Sequence, residues 1–194
     1  MKQYNLILAD PPWQQTKGGL RKSRPNQTIS LDYPTLTSAR IGQILLSVCG
    51  YHEPNVLFLW TIDSFLYEAE LVAKSLGYKL HARIIWDKEN GIAPAFTIRY
   101  SHEYLLWLYR SPFLPIAKEY RGKFTTVLRE KAKRHSQKPL CAYEMIEKLY
   151  PNTTKIELFA RKKREGWTSI GNEIDGVDIK ESLDKLITQG GNNA

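Results

Sequence analysis

A chain of 194 residues, 42% of them hydrophobic, is long enough to bury one α/β core and short for two. Cys49 and Cys141 are too few and too far apart for a disulfide framework or a metal knuckle, which points to a reducing, cytoplasmic setting and no metal. The formal charge of +8 excludes an acidic, self-solvating chain and favours a polyanionic partner, while no apolar run approaches the ~20 residues a membrane span needs, so a soluble protein with no membrane partner is expected.

The elements follow in chain order. Tyr4 to Ala9 (YNLILA) is a short, wholly apolar run, which suits a strand covered on both faces. It stops at Asp10-Pro11-Pro12-Trp13. Residues 14–32 are polar and basic and read as a long loop, of the kind that carries function. Thr37 or Ser38 can cap a helix whose Ile41, Ile44, Leu45 and Val48 share one face, ending near Gly50. Asn55 to Thr61 is the next strand, and Ser64 to Leu76 an amphipathic helix closed by Gly77. Leu80 to Trp86 and Glu103 to Tyr109 are strands separated by a Gly- and Pro-bearing loop. Between Ala117 and Lys138 lie eight basic residues and two acids, so residues 111–138 read as a second basic loop. Pro139 suits the first turn of a helix to about Leu149, and Lys155 to Ala160 (KIELFA) is a final strand. Residues 1–180 form one domain in this reading, and 181–194 a frayed tail. The alternation predicts an α/β fold: a mainly parallel sheet with helices on both faces.

In such a sheet, ligands sit at the carboxyl ends of the strands, where Asp10 lies. No phosphate-cradling GxxxxGK[ST] accompanies it and no GxGxxG precedes it, so neither an NTPase nor a dinucleotide site is indicated. Two prolines rule out an ordinary helix cap. They make a stiff corner that lacks N–H donors and projects a carboxylate and backbone carbonyls. An exocyclic nucleobase amine offers two N–H donors to such acceptors, and an aromatic ring beside them can stack on the base. Trp13 is placed to be that ring, with Tyr33 as a second candidate.

The corner is one of several motifs. ADPPW with LDYPTL, NVLFLWT, IIWDK, TIRYSHEYLLWLYR, HSQKP, KIELFAR and GWTSIGNE together resemble, in order and over roughly residues 4 to 175, the MT-A70-like adenine N6-methyltransferases. The resemblance implies a Rossmann-like methyltransferase fold in circularly permuted motif order, with S-adenosylmethionine as cofactor. It implies a catalytic tetrapeptide of Asp10, Pro11, Pro12 and Trp13. For the cofactor it implies Asp10, Lys138, Leu158, Phe159, Arg161, Asn172 and Glu173, with Lys138 on its carboxylate and Asn172 and Glu173 on its ribose. Ala160 stands where relatives usually carry Gly, which narrows the backbone conformations expected there. Tyr33, Trp60, Trp86, Lys88, Arg99, Glu103 and His135 are the substrate-binding candidates; for Trp60 and Trp86 core packing is at least as common a fate, and His135 reads equally as a solvated loop residue. The small stand-alone form resembles bacterial and phage members that methylate DNA, so the expected substrate is adenine in DNA. RNA, or a catalytically silent nucleic-acid-binding subunit, are the alternatives, and a homo- or hetero-oligomer stays open.

Overall fold

The structure, a computed structural model, describes residues 3–14, 35–52, 55–92, 98–133 and 137–191. Seven strands make one sheet: β1 Leu6–Ala9, β2 Val56–Thr61, β3 Lys79–Asp87, β4 His102–Tyr109, β5 Val127–Arg129, β6 Lys155–Leu158 and β7 Trp167–Ile170. Their spatial order is β5-β3-β4-β2-β1-β6-β7. β1 lies at the centre of the site-bearing half, parallel to β2 on one side and β6 on the other. β3 with β5 and β6 with β7 are also parallel. Among the described residues only the pairings of β4, with β2 and with β3, are antiparallel.

The helices are α1 Ser38–His52, α2 Leu66–Ser75, α3 Leu140–Leu149, α4 Asn172–Asp175 and α5 Ile179–Gly191. Because side chains alternate across a strand, β1 feeds two cores. Ile7 and Ala9 join Ile41, Leu45, Ala69, Ala73, Ile179 and Leu183 beneath α1, α2 and α5. Leu6 and Leu8 join Phe58, Trp60, Ile84, Met145 and Ile146 beneath α3. All four β1 side chains are buried, as the unbroken apolar run requires. Three layers result, in the mainly parallel arrangement expected. Among the described residues no helix is long and apolar enough to cross a membrane.

Local chemistry explains the element ends. Thr37 Oγ1 accepts from the Arg40 amide at 3.2 Å and so caps α1. Gly77 takes φ 83° just past α2, where a side chain would be strained.

Two expectations are corrected. The supposed tail is helix α5 through Gly191, which is held by Ile179 and Leu183, both buried in the first core. The stretch 111–138 is not all loop. It holds β5 and a 3-10 turn at Lys118–Tyr120, and Leu114, Ile116, Tyr120 and Phe124 pack against the second core.

Candidate active site

The corner after β1 is strapped in place by backbone. The Asp10 amide donates to the Leu158 carbonyl of β6 at 3.4 Å, the Leu36 amide to the Pro12 carbonyl at 2.8 Å, and the Gln14 amide to the Leu36 carbonyl at 3.1 Å. The Trp13 amide donates to the Pro11 carbonyl at 2.9 Å. That carbonyl is therefore not the vacant acceptor the sequence suggests, and one of its two lone pairs is left for a ligand.

Trp13 also departs from expectation. Its ring is 6% exposed and stacks on Phe65 at 5.8 Å, and its Nε1–H donates to the Trp60 carbonyl at 3.0 Å. A buried ring already stacked is a strut rather than a platform for a base. Trp13→Phe keeps the stack and loses the hydrogen bond, so a loss of about 1 kcal/mol is expected in urea denaturation.

Asp10 opens an ion chain. Lys138 Nζ lies 2.8 Å from Asp10 Oδ1 and 3.1 Å from Glu103 Oε2, and Lys88 Nζ lies 2.7 Å from Glu103 Oε1. Two carboxylates and two ammonium groups alternate, so little net charge is left in a poorly solvated place. Burial pushes the Asp10 carboxyl above its usual range, and Lys138 only partly offsets this. Burial also opposes the Lys138 ammonium, but Asp10 and Glu103 prevail and hold its pKa above the ordinary lysine value. At Glu103 burial is outweighed by Lys138 and Lys88, and the carboxyl is held low. Glu103 thus stays ionised and anchors Lys138, while Asp10 has the stronger affinity for a proton.

Around this chain lies a cavity of about 530 Å³ lined by Asp10, Pro11, Pro12, Trp13, Trp86, Lys88, Glu103 and Lys138, among others. A second cavity, of about 190 Å³, is lined by Pro12, Arg40, Phe159, Asn172, Glu173 and Ile179 among others. Asp10, Pro12 and Arg161 border both. Asn172 Oδ1 accepts the Ile179 amide at 3.0 Å, capping α5, which leaves its side-chain N–H groups as donors. Glu173 pairs with Arg161 at 3.3 Å. Carboxylate, amide and guanidinium groups beside Phe159 and Ile179 suit a nucleoside with hydroxyls and an apolar face. This donor set fits the expected cofactor.

The backbone beside this second cavity is tight. Phe159, and not Ala160, takes the left-handed conformation, at φ 63°, which is strained for a side chain of that size. A Cβ on Gly171 would stand 2.2 Å from the Ala160 carbonyl oxygen, so the strand ends of β6 and β7 can meet only with glycine there.

Other expected residues fall differently. Lys88, Trp86 and Glu103 line the first cavity. Trp60 is 1% exposed, beneath Lys138, whose Nζ lies 5.4 Å from the ring centroid. The Leu158 side chain is in the core, so this residue serves the corner through its carbonyl alone. Arg99 does not line either cavity; it donates to the Asn90 and Gly91 carbonyls at 2.9 and 3.3 Å and braces their loop. Tyr33 and His135 lie outside the described residues. The sequence reading missed Glu130, whose Oε2 accepts the Cys141 amide at 2.9 Å and whose carbonyl accepts Trp86 Nε1–H at 2.8 Å. It ties the start of α3, and hence Lys138, to β3. An acid ten residues before a helix gives no periodic signal.

The basic run Arg161 to Arg164 divides. Arg164 is committed to Glu147 at 2.6 and 2.9 Å, and Trp167 donates to the same carboxylate at 2.7 Å. Close by, burial raises the Glu157 carboxyl to about 7, although the Tyr143 hydroxyl donates to it at 2.6 Å. The folded state therefore holds a proton that the unfolded chain releases at lower pH. Stability present below the unfolded value of 4.5 is lost as pH rises through about 7. Glu157→Gln copies the protonated group, so it should raise unfolding free energy by about 2 kcal/mol near pH 8 and by little near pH 4.5.

Known proteins bear on this arrangement. The MT-A70 family model matches residues 4–173. Among relatives, the probable N(6)-adenosine-methyltransferase MT-A70-like of Oryza sativa subsp. japonica is 28% identical over 187 residues, covering 91% of this chain and 24% of that protein. The N(6)-adenosine-methyltransferase catalytic subunit METTL3 of Homo sapiens is 27% identical, over 91% of this chain and 29% of that protein. The Type II methyltransferase M.MunI of Mycoplasma sp is 28% identical over 92% of this chain and 81% of that protein. The chain thus spans about a quarter of the length of the first two relatives and most of the third.

Proposed function

Because the chain belongs to the MT-A70 family, whose methyl donor is S-adenosylmethionine, we propose that it transfers a methyl group to the N6 amine of adenine in DNA. The observation that carries this reading is the position of Asp10, on the wall common to two cavities, one large enough for a base and one chemically suited to a nucleoside cofactor.

Bound S-adenosylmethionine supplies an electrophilic methyl group on a sulfonium centre. Asn172, Glu173, Arg161 and Phe159 would hold its nucleoside, and Lys138 its carboxylate. The amine of adenine is a weak nucleophile, because its lone pair is delocalised into the ring. Asp10 and the remaining lone pair of the Pro11 carbonyl accept its two N–H groups, which favours a pyramidal nitrogen and aims the lone pair away from them. As the C–N bond forms, the methyl–sulfur bond would break with its electron pair left on sulfur as a neutral thioether, the nitrogen gives up one proton, and the Asp10 carboxylate, whose affinity for protons is raised by burial, is placed to take it. Most of the rate comes from positioning and from charges fixed in advance. A paired target base must leave the stack first, at a cost of a few kcal/mol.

DNA is supported by the resemblance of its motifs to bacterial and phage members that methylate DNA, and by the 28% identity to the Type II methyltransferase M.MunI over 92% of this chain. The net charge of +8, with Lys133 on the wall of the first cavity and exposed Lys123, Arg129 and Lys131 earlier in the same basic segment, supports a polyanionic substrate of either kind. Methyl transfer from tritiated donor to matched DNA and RNA oligonucleotides, with digestion to nucleosides, tests the reading. N6-methyldeoxyadenosine is expected; product on RNA alone overturns the DNA assignment. No donor binding in calorimetry would instead mark a silent subunit.

A further inference from the structure

Beyond the groups assigned above to the ribose and to the methyl-bearing end of the donor, the smaller cavity is also lined by Leu36, Arg40, Ile44, Asp178 and Ile179. Arg40 and Ile44 are one turn apart on α1 and so share a face. Asp178 and Ile179 stand at the start of α5, which packs against α1. Ile44 and Ile179 are buried and supply apolar wall. Asp178 Oδ1 accepts the Lys180 amide at 2.9 Å, which fixes the carboxylate and leaves its second oxygen as an acceptor. Arg40 donates from Nη1 to Gln43 Oε1 at 3.1 Å, and its other N–H groups remain as donors. On the same wall Arg161 and Glu173 pair at 3.3 Å. Among the described residues neither Arg40 nor Asp178 forms an ion pair, with each other or with a third group.

We propose that Asp178 and Arg40 recognise the adenine of the methyl donor, Asp178 accepting from its N6 amine and Arg40 donating to a ring nitrogen; the inference rests on the reading of the site given above. An adenine edge sets an N–H donor beside a ring nitrogen that accepts, and a carboxylate with a guanidinium on one wall is its complement. The aliphatic side chains of Leu36, Ile44 and Ile179 suit the apolar faces of the ring. A 6-oxo purine brings an oxygen to the carboxylate, where an N–H is needed, so the pair selects the donor by its base. It does so away from the methyl group that is transferred. Its effect therefore falls on binding of the donor and not on the chemistry at Asp10.

Calorimetry with S-adenosylhomocysteine and S-inosylhomocysteine, whose bases carry a 6-amino and a 6-oxo group, tests this without turnover. The wild type should bind the adenosyl ligand about tenfold more tightly. Asp178→Asn keeps an oxygen for the Lys180 amide, so α5 stays capped, but it presents N–H donors in place of the free carboxylate oxygen. It should lose about tenfold on the adenosyl ligand and nothing on the inosyl one, so that the preference disappears or reverses. A merely structural role would weaken both ligands alike. Arg40→Met should weaken the adenosyl ligand by a similar factor, with thermal unfolding of the ligand-free protein nearly unchanged. A wild type indifferent to the base overturns the inference whether or not the variants fold. So does an Asp178→Asn variant that keeps the wild-type preference, or an Arg40→Met variant with wild-type affinity. A wild type that binds neither S-adenosylhomocysteine nor S-adenosylmethionine overturns the reading of the site, and this inference with it.

Discussion

In an Asp10→Asn variant, methyl transfer to adenine is expected to fall by about 10³-fold, while affinity for S-adenosylmethionine falls by far less. Asparagine keeps the shape of the side chain but loses the charge and the site for the departing proton. Lys138 still has Glu103 at 3.1 Å, so the change does not strand a buried ammonium group, and thermal unfolding should move little. The pH profile gives an independent check. The working form of Asp10 is ionised and burial raises its pKa, so the acid limb of kcat/KM should lie above the ordinary aspartate value of 3.8. Lys138→Met removes the group that favours the carboxylate and should carry that limb higher still. Full activity of Asp10→Asn would remove the carboxylate from the mechanism.

The largest effect on stability is expected from Gly171→Ala. The added methyl would sit 2.2 Å from the Ala160 oxygen and 2.7 Å from its nitrogen, both backbone atoms that cannot swing aside. Overpacking of this kind costs about 3 kcal/mol or more, which lowers Tm by roughly 6–12 °C in a chain of this size. Donor affinity should fall as well, because Ala160 and Asn172 flank the smaller cavity. Gly42→Ala is the matching control. It lies within α1, its Cβ would meet Val72 at an ordinary 3.7 Å, and it should stabilise by about 0.5–1 kcal/mol. Thermal denaturation of the two variants separates a special contact from the general effect of replacing glycine.

Elements whose physics is local were legible from the sequence. β1 announces itself because both of its faces are covered, α2 because Gly77 ends it, and α3 because Pro139 opens it. The direction of β4 was not legible, since periodicity marks a strand but not which way it runs. β5 and β7 have only three and four residues and exist through their pairing with β3 and β6. α5 carried a readable signal, Ile179, Leu183 and Leu186 at helical spacing, that its polar remainder obscured.

At the site, chemistry singled out Asp10 and the motif resemblance Lys138, and the fold brings the two within 2.8 Å. Chemistry misjudged Trp13, because nothing in a tetrapeptide says that Phe65 and the Trp60 carbonyl will enclose its ring. Arg99 was misread for a related reason: a cation near a motif and a cation bracing a loop look alike until the carbonyls of Asn90 and Gly91 are in place.

The reversed strand β4 has a consequence for how such a domain could be diversified. The β3–β4 connection leaves and re-enters the sheet at the same edge, and its base is pinned by the Lys88 amide on the Ser101 carbonyl at 2.9 Å. A segment anchored in this way can be lengthened, shortened or exchanged at a cost that grows only with the logarithm of its length. The Asp10 corner, carried on a different strand, is untouched by such exchanges. The connection between β3 and β4 is thus a natural cassette, open to new sequence without disturbance of the strand that carries Asp10.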